Sequence, residues 1–254
     1  MLELSGGVVH GESTHYDEML DFVENNDLSI TENYEEVSRR MDVNEFKNYF
    51  LSQIYFGNSD WPHNNIKYWR ENSDYGKWRW ILYDTDFGYD LVPKGNMLTH
   101  AIHSNKHSSL FKSILNNESF RNDFIQTTAS HLNTTFQSER CIRILDSLKV
   151  LIEDPFGVMW PTKSFDDQIR KMQRFANSRG DRLQAYFMEE FEISGMYTAS
   201  IELGTDDAGY VTINDVDIPE DFSGDYFHDI PIQLRAIAEP GYEFTGWTGA
   251  VNQS

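Results

Sequence analysis

The stretch GNSDWPHNNIKYWR, residues 57–70, sets one acid, one proline and three asparagines in a short polar loop between apolar-rich segments. Upstream, Asp42 and Glu45 read as an N-cap and its capping-box partner, and Val43, Phe46, Phe50 and Ile54 fall on one helical face. That helix delivers the chain to the loop. Downstream, IKYWR and KWRWILY are β-prone runs separated by ENSDYG, a turn signal ending in glycine, so residues 66–83 read as a hairpin. Helix, polar loop and hairpin in this order make the expected class α+β, mostly helical, with the hairpin at the active site.

In the second hairpin strand Trp78, Trp80, Leu82, Asp84 and Asp86 share a parity, so both acids of DTDFG project to one side if the strand persists that far. Adjacent carboxylates repel unless a cation lies between them or one keeps a proton; magnesium, with manganese as its substitute, suits such hard oxygens. Asp60 and Asn65 stand five residues apart, and the hairpin can bring them to these acids. Asp60 could take a proton from an attacking hydroxyl while Asn65 offers a neutral oxygen to the metal. The order Asp60, Asn65, hairpin, Asp86-Phe87-Gly88 follows the protein-kinase template, with Asn58-Ser59 in place of the His-Arg that precedes the acid there.

Outward from this core, Thr14 and Asp17 resemble a capping box ahead of HYDEMLDFVENN, with Tyr16, Met19, Leu20 and Val23 at helical spacing, and ENYEEVSRRM is a second helix. Residues 89–108, with Pro93, Gly95 and three histidines, read as irregular. From 109 to 191 the pattern is helical again: SLFKSILNN, SFRNDFIQTTASHLN, SERCIRILDSLKVLIED, and a long helix after Pro161 carrying Phe165, Ile169, Met172, Phe175, Leu183 and Phe187 in register. Gly180 interrupts that stripe at a cost of roughly 1 kcal/mol without shifting its phase. From about residue 194 the runs YTASIEL, YVTIN, IQLRAIA and YEFTGW alternate between turn residues. The expected domains are therefore 1–193 and a small β module, 194–254, cut before its final strand.

Length and composition set the outer bounds. With 39% hydrophobic and 14% aromatic residues, 254 residues can bury a sizeable core. The net charge of −20, from 41 acidic against 21 basic residues, argues against DNA or an anionic membrane as main partner. The single cysteine, Cys141, precludes an intrachain disulfide and a thiolate cluster, and reads as a buried, inert thiol on an amphipathic helix. No apolar run is long enough to insert in a membrane, and no leader is seen.

The blocks IYFGNSDWPHNNIKYWR and WRWILYDTDFGY, with THYDEMLDFVENN before them and RFANSRGDRLQAYF after, resemble the CotH kinase family, atypical protein kinases first associated with spore coats. The likeness spans roughly residues 1–192. It implies ATP and a divalent cation as cofactors, and a serine or threonine of a surface or coat protein as acceptor. It also places the catalytic acid on Asp60, nucleotide contacts on Asn64 and Asn65, the metal-binding asparagine on Asn65 or Asn64, and the second metal acid on Asp84 or Asp86. A kinase N-terminal lobe carries a glycine-rich cover and a strand lysine. Residues 1–41 contain no lysine, so the chain resembles a C-terminal-lobe portion of a longer parent; Lys67, Lys77 and Lys94 are the cations nearest the site in sequence. The segment YFHDIPIQLRAIAEPGYEFTGWTG resembles an InlB-type B-repeat of bacterial surface proteins, which implies export to the cell surface.

Competing readings attach to the same residues. Asp60 before Trp-Pro suits a turn, Asn64 and Asn65 suit left-handed backbone, and strand-end aspartates often cap turns. His100, His103 and His107 are spaced for one helical face and read as solvated rather than zinc-binding. Trp61, Trp69, Trp78 and Trp80 suit core packing as well as a sugar platform. Two further function classes are a DxD glycosyltransferase, which requires an α/β half upstream, and a non-catalytic surface scaffold.

Overall fold

The structure, a computed structural model, describes residues 1–3, 7–90, 95–103, 109–159, 162–204, 208–218 and 220–249. Pro93, Lys94, His107 and Pro161, singled out above, lie outside the described residues.

Three helices occupy most of the first 56 residues: α1 (Thr14–Asn25), α2 (Thr31–Arg40) and α3 (Val43–Phe56). The capping box expected at α1 does not form, because Ser13 takes the N-cap position and its hydroxyl bonds the Asp17 carboxylate rather than a backbone amide. At α3 the Asp42 carboxylate does accept the Glu45 amide, as the sequence predicts. Glu45 does not reciprocate. Its carboxylate accepts the Trp80 amide at 2.9 Å, and the Asp42 amide donates to the Trp78 carbonyl, so the helix start becomes a joint to the hairpin.

That hairpin consists of β3 (Lys67–Trp69) and β4 (Arg79–Ile81), with Tyr68 opposite Trp80. Two short strands, β1 (Leu2–Glu3) and β2 (Gly7–Val8), extend it into an antiparallel sheet of order β2-β1-β3-β4. Strand alternation buries Tyr68 and Trp80 on one face. Phe46 of α3 meets Trp80 edge-on at 4.5 Å, and Tyr16 of α1 stacks on Tyr68 at 4.2 Å. Trp61, Trp78 and Trp80 are core residues, whereas Trp69 is exposed.

The segment read as irregular contains α4 (Met97–His103), so that expectation is corrected. Asn96 caps it by accepting the Leu98 and Thr99 amides, and Met97, Leu98, Ala101 and Ile102 bury its apolar side. Helices α5 (Ser109–Ile114), α6 (Glu118–Asn133), α7 (Ser138–Met159) and α8 (Thr162–Glu190) follow. On α8, Phe165, Ile169, Phe175, Leu183 and Phe187 are buried and Met172 is half-buried. On α7 no side chain is fully buried; Cys141 is half-buried beside the Tyr55 hydroxyl, not enclosed as expected.

Strands β5 (Met196–Ile201), β6 (Gly209–Ile213), β7 (Val216–Ile218), β8 (Phe222–Phe227) and β9 (Leu234–Ala238) complete the α+β fold as an antiparallel pair β5-β8 and a three-stranded sheet β7-β6-β9. YEFTGW, expected as a strand, forms none; FSGDYF, not expected, does. The strands pack on α6. Gln126 donates to the carbonyls of Phe227 and Ile230 and accepts the Phe227 amide, while Phe187 of α8 stacks on Phe227 at 5.7 Å.

Candidate active site

The loop after α3 begins where the helix must stop. Gly57 adopts φ 66°, a left-handed cap that favours glycine, and its amide returns to the carbonyls of Gln53 and Ile54. The carbonyls of this last turn need donors from elsewhere. Arg179, 1% exposed, reaches across from α8 and donates to the carbonyls of Ile54 and Tyr55. Burial, and then the charge of Arg182, pulls the Arg179 pKa down to about 10, so it remains charged at neutral pH against the negative end of α3.

Asn58 and Ser59 are buried and tie the loop to the DTDFG segment. The Asn58 amide group donates to Gln53 Oε1 at 2.9 Å and to the Asp84 carbonyl at 3.1 Å, and its oxygen accepts the Asp60 amide. Ser59 donates through both backbone and hydroxyl to the Phe87 carbonyl, at 3.3 and 3.2 Å. The Tyr89 amide closes the circuit on the Phe56 carbonyl at 2.8 Å. Gly88 sits inside this circuit: a Cβ there would lie 2.9 Å from the carbonyl oxygens of Phe56 and Thr85, a contact only glycine avoids.

These ties bring the acids within electrostatic range of one another. The Asp60 Oδ2 accepts from Asn65 Nδ2 at 3.0 Å and Asn64 Nδ2 at 3.2 Å, so both asparagines orient the acid. Asn65 also takes the left-handed backbone, φ 56°, that its residue type tolerates. Its side-chain oxygen is left as an acceptor. A side-chain hydrogen bond with Asp86 raises the Asp84 pKa from its ordinary value, and the negative charges of Asp86 and Asp60 push the same way. Lys67 opposes them; it lies over the Tyr83 ring and near Glu3. Lys77 is tied to the Ser38 carbonyl and does not enter the site.

The shared parity of Asp84 and Asp86 does not come from a strand, because β4 ends at Ile81 and Asp84 has φ 53°. Turn geometry beyond the strand sets the pair. Among the described residues no three His, Cys, Asp or Glu side chains converge as a metal cage, and the expected ligand set is two carboxylates with an asparagine oxygen. The histidines of α4 do other things: His100 Nε2 stands 3.1 Å from His63 Nε2 in the Asp60 loop, and His103 bonds Glu190. Sequence reasoning missed Asn58, Ser59 and Arg179 as positioning residues.

The family model described as CotH kinase protein matches residues 7–183, more than half of the chain. The chain belongs to the CotH kinase family. No curated protein and no solved structure gives a match. Within the CotH kinase match fall α1–α7, the hairpin, both active-site loops and Arg179, and the strands from β5 onward fall outside it.

Proposed function

We infer that this CotH kinase-family chain carries the catalytic-loop portion of a phosphotransferase. The reaction passes the γ-phosphoryl group of ATP to a serine or threonine hydroxyl of a surface or coat protein. The observation that carries this reading is the double tie of Asn58 and Ser59 to the backbone of Asp84 and Phe87, which sets Asp60 beside an acid pair. In this reading Asp60, oriented by Asn64 and Asn65, accepts the acceptor hydroxyl proton as its oxygen bonds phosphorus and the bond to the β-phosphate oxygen breaks.

Asp84, Asp86 and the Asn65 oxygen supply hard donors suited to magnesium or manganese, and Asn64 and Asn65 face the nucleotide. Two carboxylates that hydrogen-bond each other gain from a cation, and magnesium is commonly held by one or two carboxylates with phosphates completing its shell. When bound, the ion neutralises charge on the transferring phosphoryl group. Export to the cell surface belongs to the same proposal and rests on the likeness of residues 226–249 to surface-protein repeats.

Calorimetric titration with manganese and ATP tests the assignment. Asp84→Ala is expected to weaken metal-dependent ATP binding at least tenfold, while Asp60→Ala retains it and loses phosphate transfer. Equal binding by the native chain and Asp84→Ala overturns the metal role.

A further inference from the structure

Four residues beyond Asp86 the chain meets α8, where Asp90, Lys171, Arg174, Phe175, Ser178 and Arg182 line an open groove of ≈ 430 Å³. Three cations and one carboxylate form the walls, in a chain whose net charge is −20. The excess of positive charge is felt below the surface, since the Arg182 charge helps to lower the pKa of buried Arg179.

The side chains are arranged for an oxyanion. Arg182 directs both terminal nitrogens at one oxygen of Asp90, each at 3.0 Å, where a phosphate would offer separate oxygens to the two arms of the fork. The Phe175 ring supports the Arg182 and Arg179 guanidiniums at 5.6 and 5.3 Å, which holds their planes without using their N–H groups. Arg174 is exposed on the same wall and makes no ion pair among the described residues. The Ser178 hydroxyl donates to the Arg174 carbonyl one helical turn back, so it adds no charge to the groove and the cations alone supply the donors.

We propose that this groove binds a phosphate group, with Lys171, Arg174 and Arg182 as its cationic walls and Asp90 as a resident competitor for the Arg182 fork. Two sources share this chemistry, the phosphate tail of a free nucleotide and a phosphorylated side chain. The proposal does not depend on the phosphotransfer reading, because it involves no metal and none of Asp60, Asp84 or Asp86.

The test is binding of inorganic pyrophosphate to the whole chain in EDTA at low salt, with phosphoserine as the second probe. Native protein is expected to bind, Lys171→Gln/Arg174→Gln at least tenfold more weakly, and Asp90→Asn several-fold more tightly. The double variant should melt as the native chain does, since neither side chain is buried. Tighter pyrophosphate than phosphoserine binding assigns the site to a nucleotide tail, and the reverse order to a phosphorylated side chain. The proposal is overturned if the double variant binds as tightly as the native chain, or if neither native protein nor Asp90→Asn binds either probe.

Discussion

Asn58 shows how one side chain can organise a site without touching its reacting atoms. Its amide group spans the end of α3, the Asp84 carbonyl and the Asp60 backbone, and so ties the two acidic loops together. Nothing in GNSDWP announces this role, because an asparagine after a helix-ending glycine is also an ordinary turn residue. Asp60, Asn65, Asp84 and Asp86 could be nominated from the sequence, since acids and asparagine in kinase order point to a chemistry before any contact is known. Glu45 illustrates the opposite limit. Sequence assigns it to a helix cap, yet it accepts the Trp80 amide in a half-buried position, and burial raises its pKa to about 7. Its folded pKa thus lies above the unfolded value of about 4.5. The stabilisation from its bound proton is full below pH 4.5 and is lost as pH rises through about 7. Glu45→Gln should flatten the stability profile between these limits in urea unfolding at a series of pH values; an unchanged slope would assign it to other groups.

At the scale of elements, α3, the loop, the hairpin and α8 form one device. The period of Val43, Phe46, Phe50 and Ile54 and the two β-prone runs made the first three readable. α4 was missed because it is short and its signal, an asparagine cap before MLTHAIH, is weak beside the surrounding Gly, Pro and His residues. The extent of β4 was overread. Parity continues along a sequence indefinitely, but a strand stops where its partner does, and β3 offers only Lys67–Trp69. The long-range element is Arg179, which caps α3 from α8. Replacing it by methionine keeps the packing on Phe175 but leaves the Tyr55 carbonyl without its donor, at a cost of roughly 2–3 kcal/mol. The same variant should weaken manganese binding at Asp84 through displacement of the Asp60 loop. Denaturant midpoints and metal titration on one preparation check both outcomes, and native-like values in both would deny the Arg179 cap any role in stability or in the site.

Across the whole molecule, the strands after residue 196 are bound to the helical part through α6. Gln126 makes three hydrogen bonds to the backbone of β8 and the turn beyond it, and Ser130 meets Tyr226 and Asn214 in the same buried seam. Gln126→Leu should destabilise the protein by roughly 2–4 kcal/mol, because buried backbone groups lose their partners. Hydrogen exchange should then show lost protection in β8 while α3 retains its own; uniform loss would mean that both parts unfold together. By itself the sequence determined the α+β class, most helices and the hairpin, and it nominated the acids and asparagines of the candidate site, because period, caps and residue chemistry are local properties of a chain. Tertiary structure alone decided that Asn58 and Ser59 join the two acidic loops, that Arg179 caps α3, that Arg182 pairs with Asp90, and that Gln126 holds the strands. Each depends on a partner more than twenty residues away. Hydrogen bonding and desolvation act on distance in space, which only packing supplies.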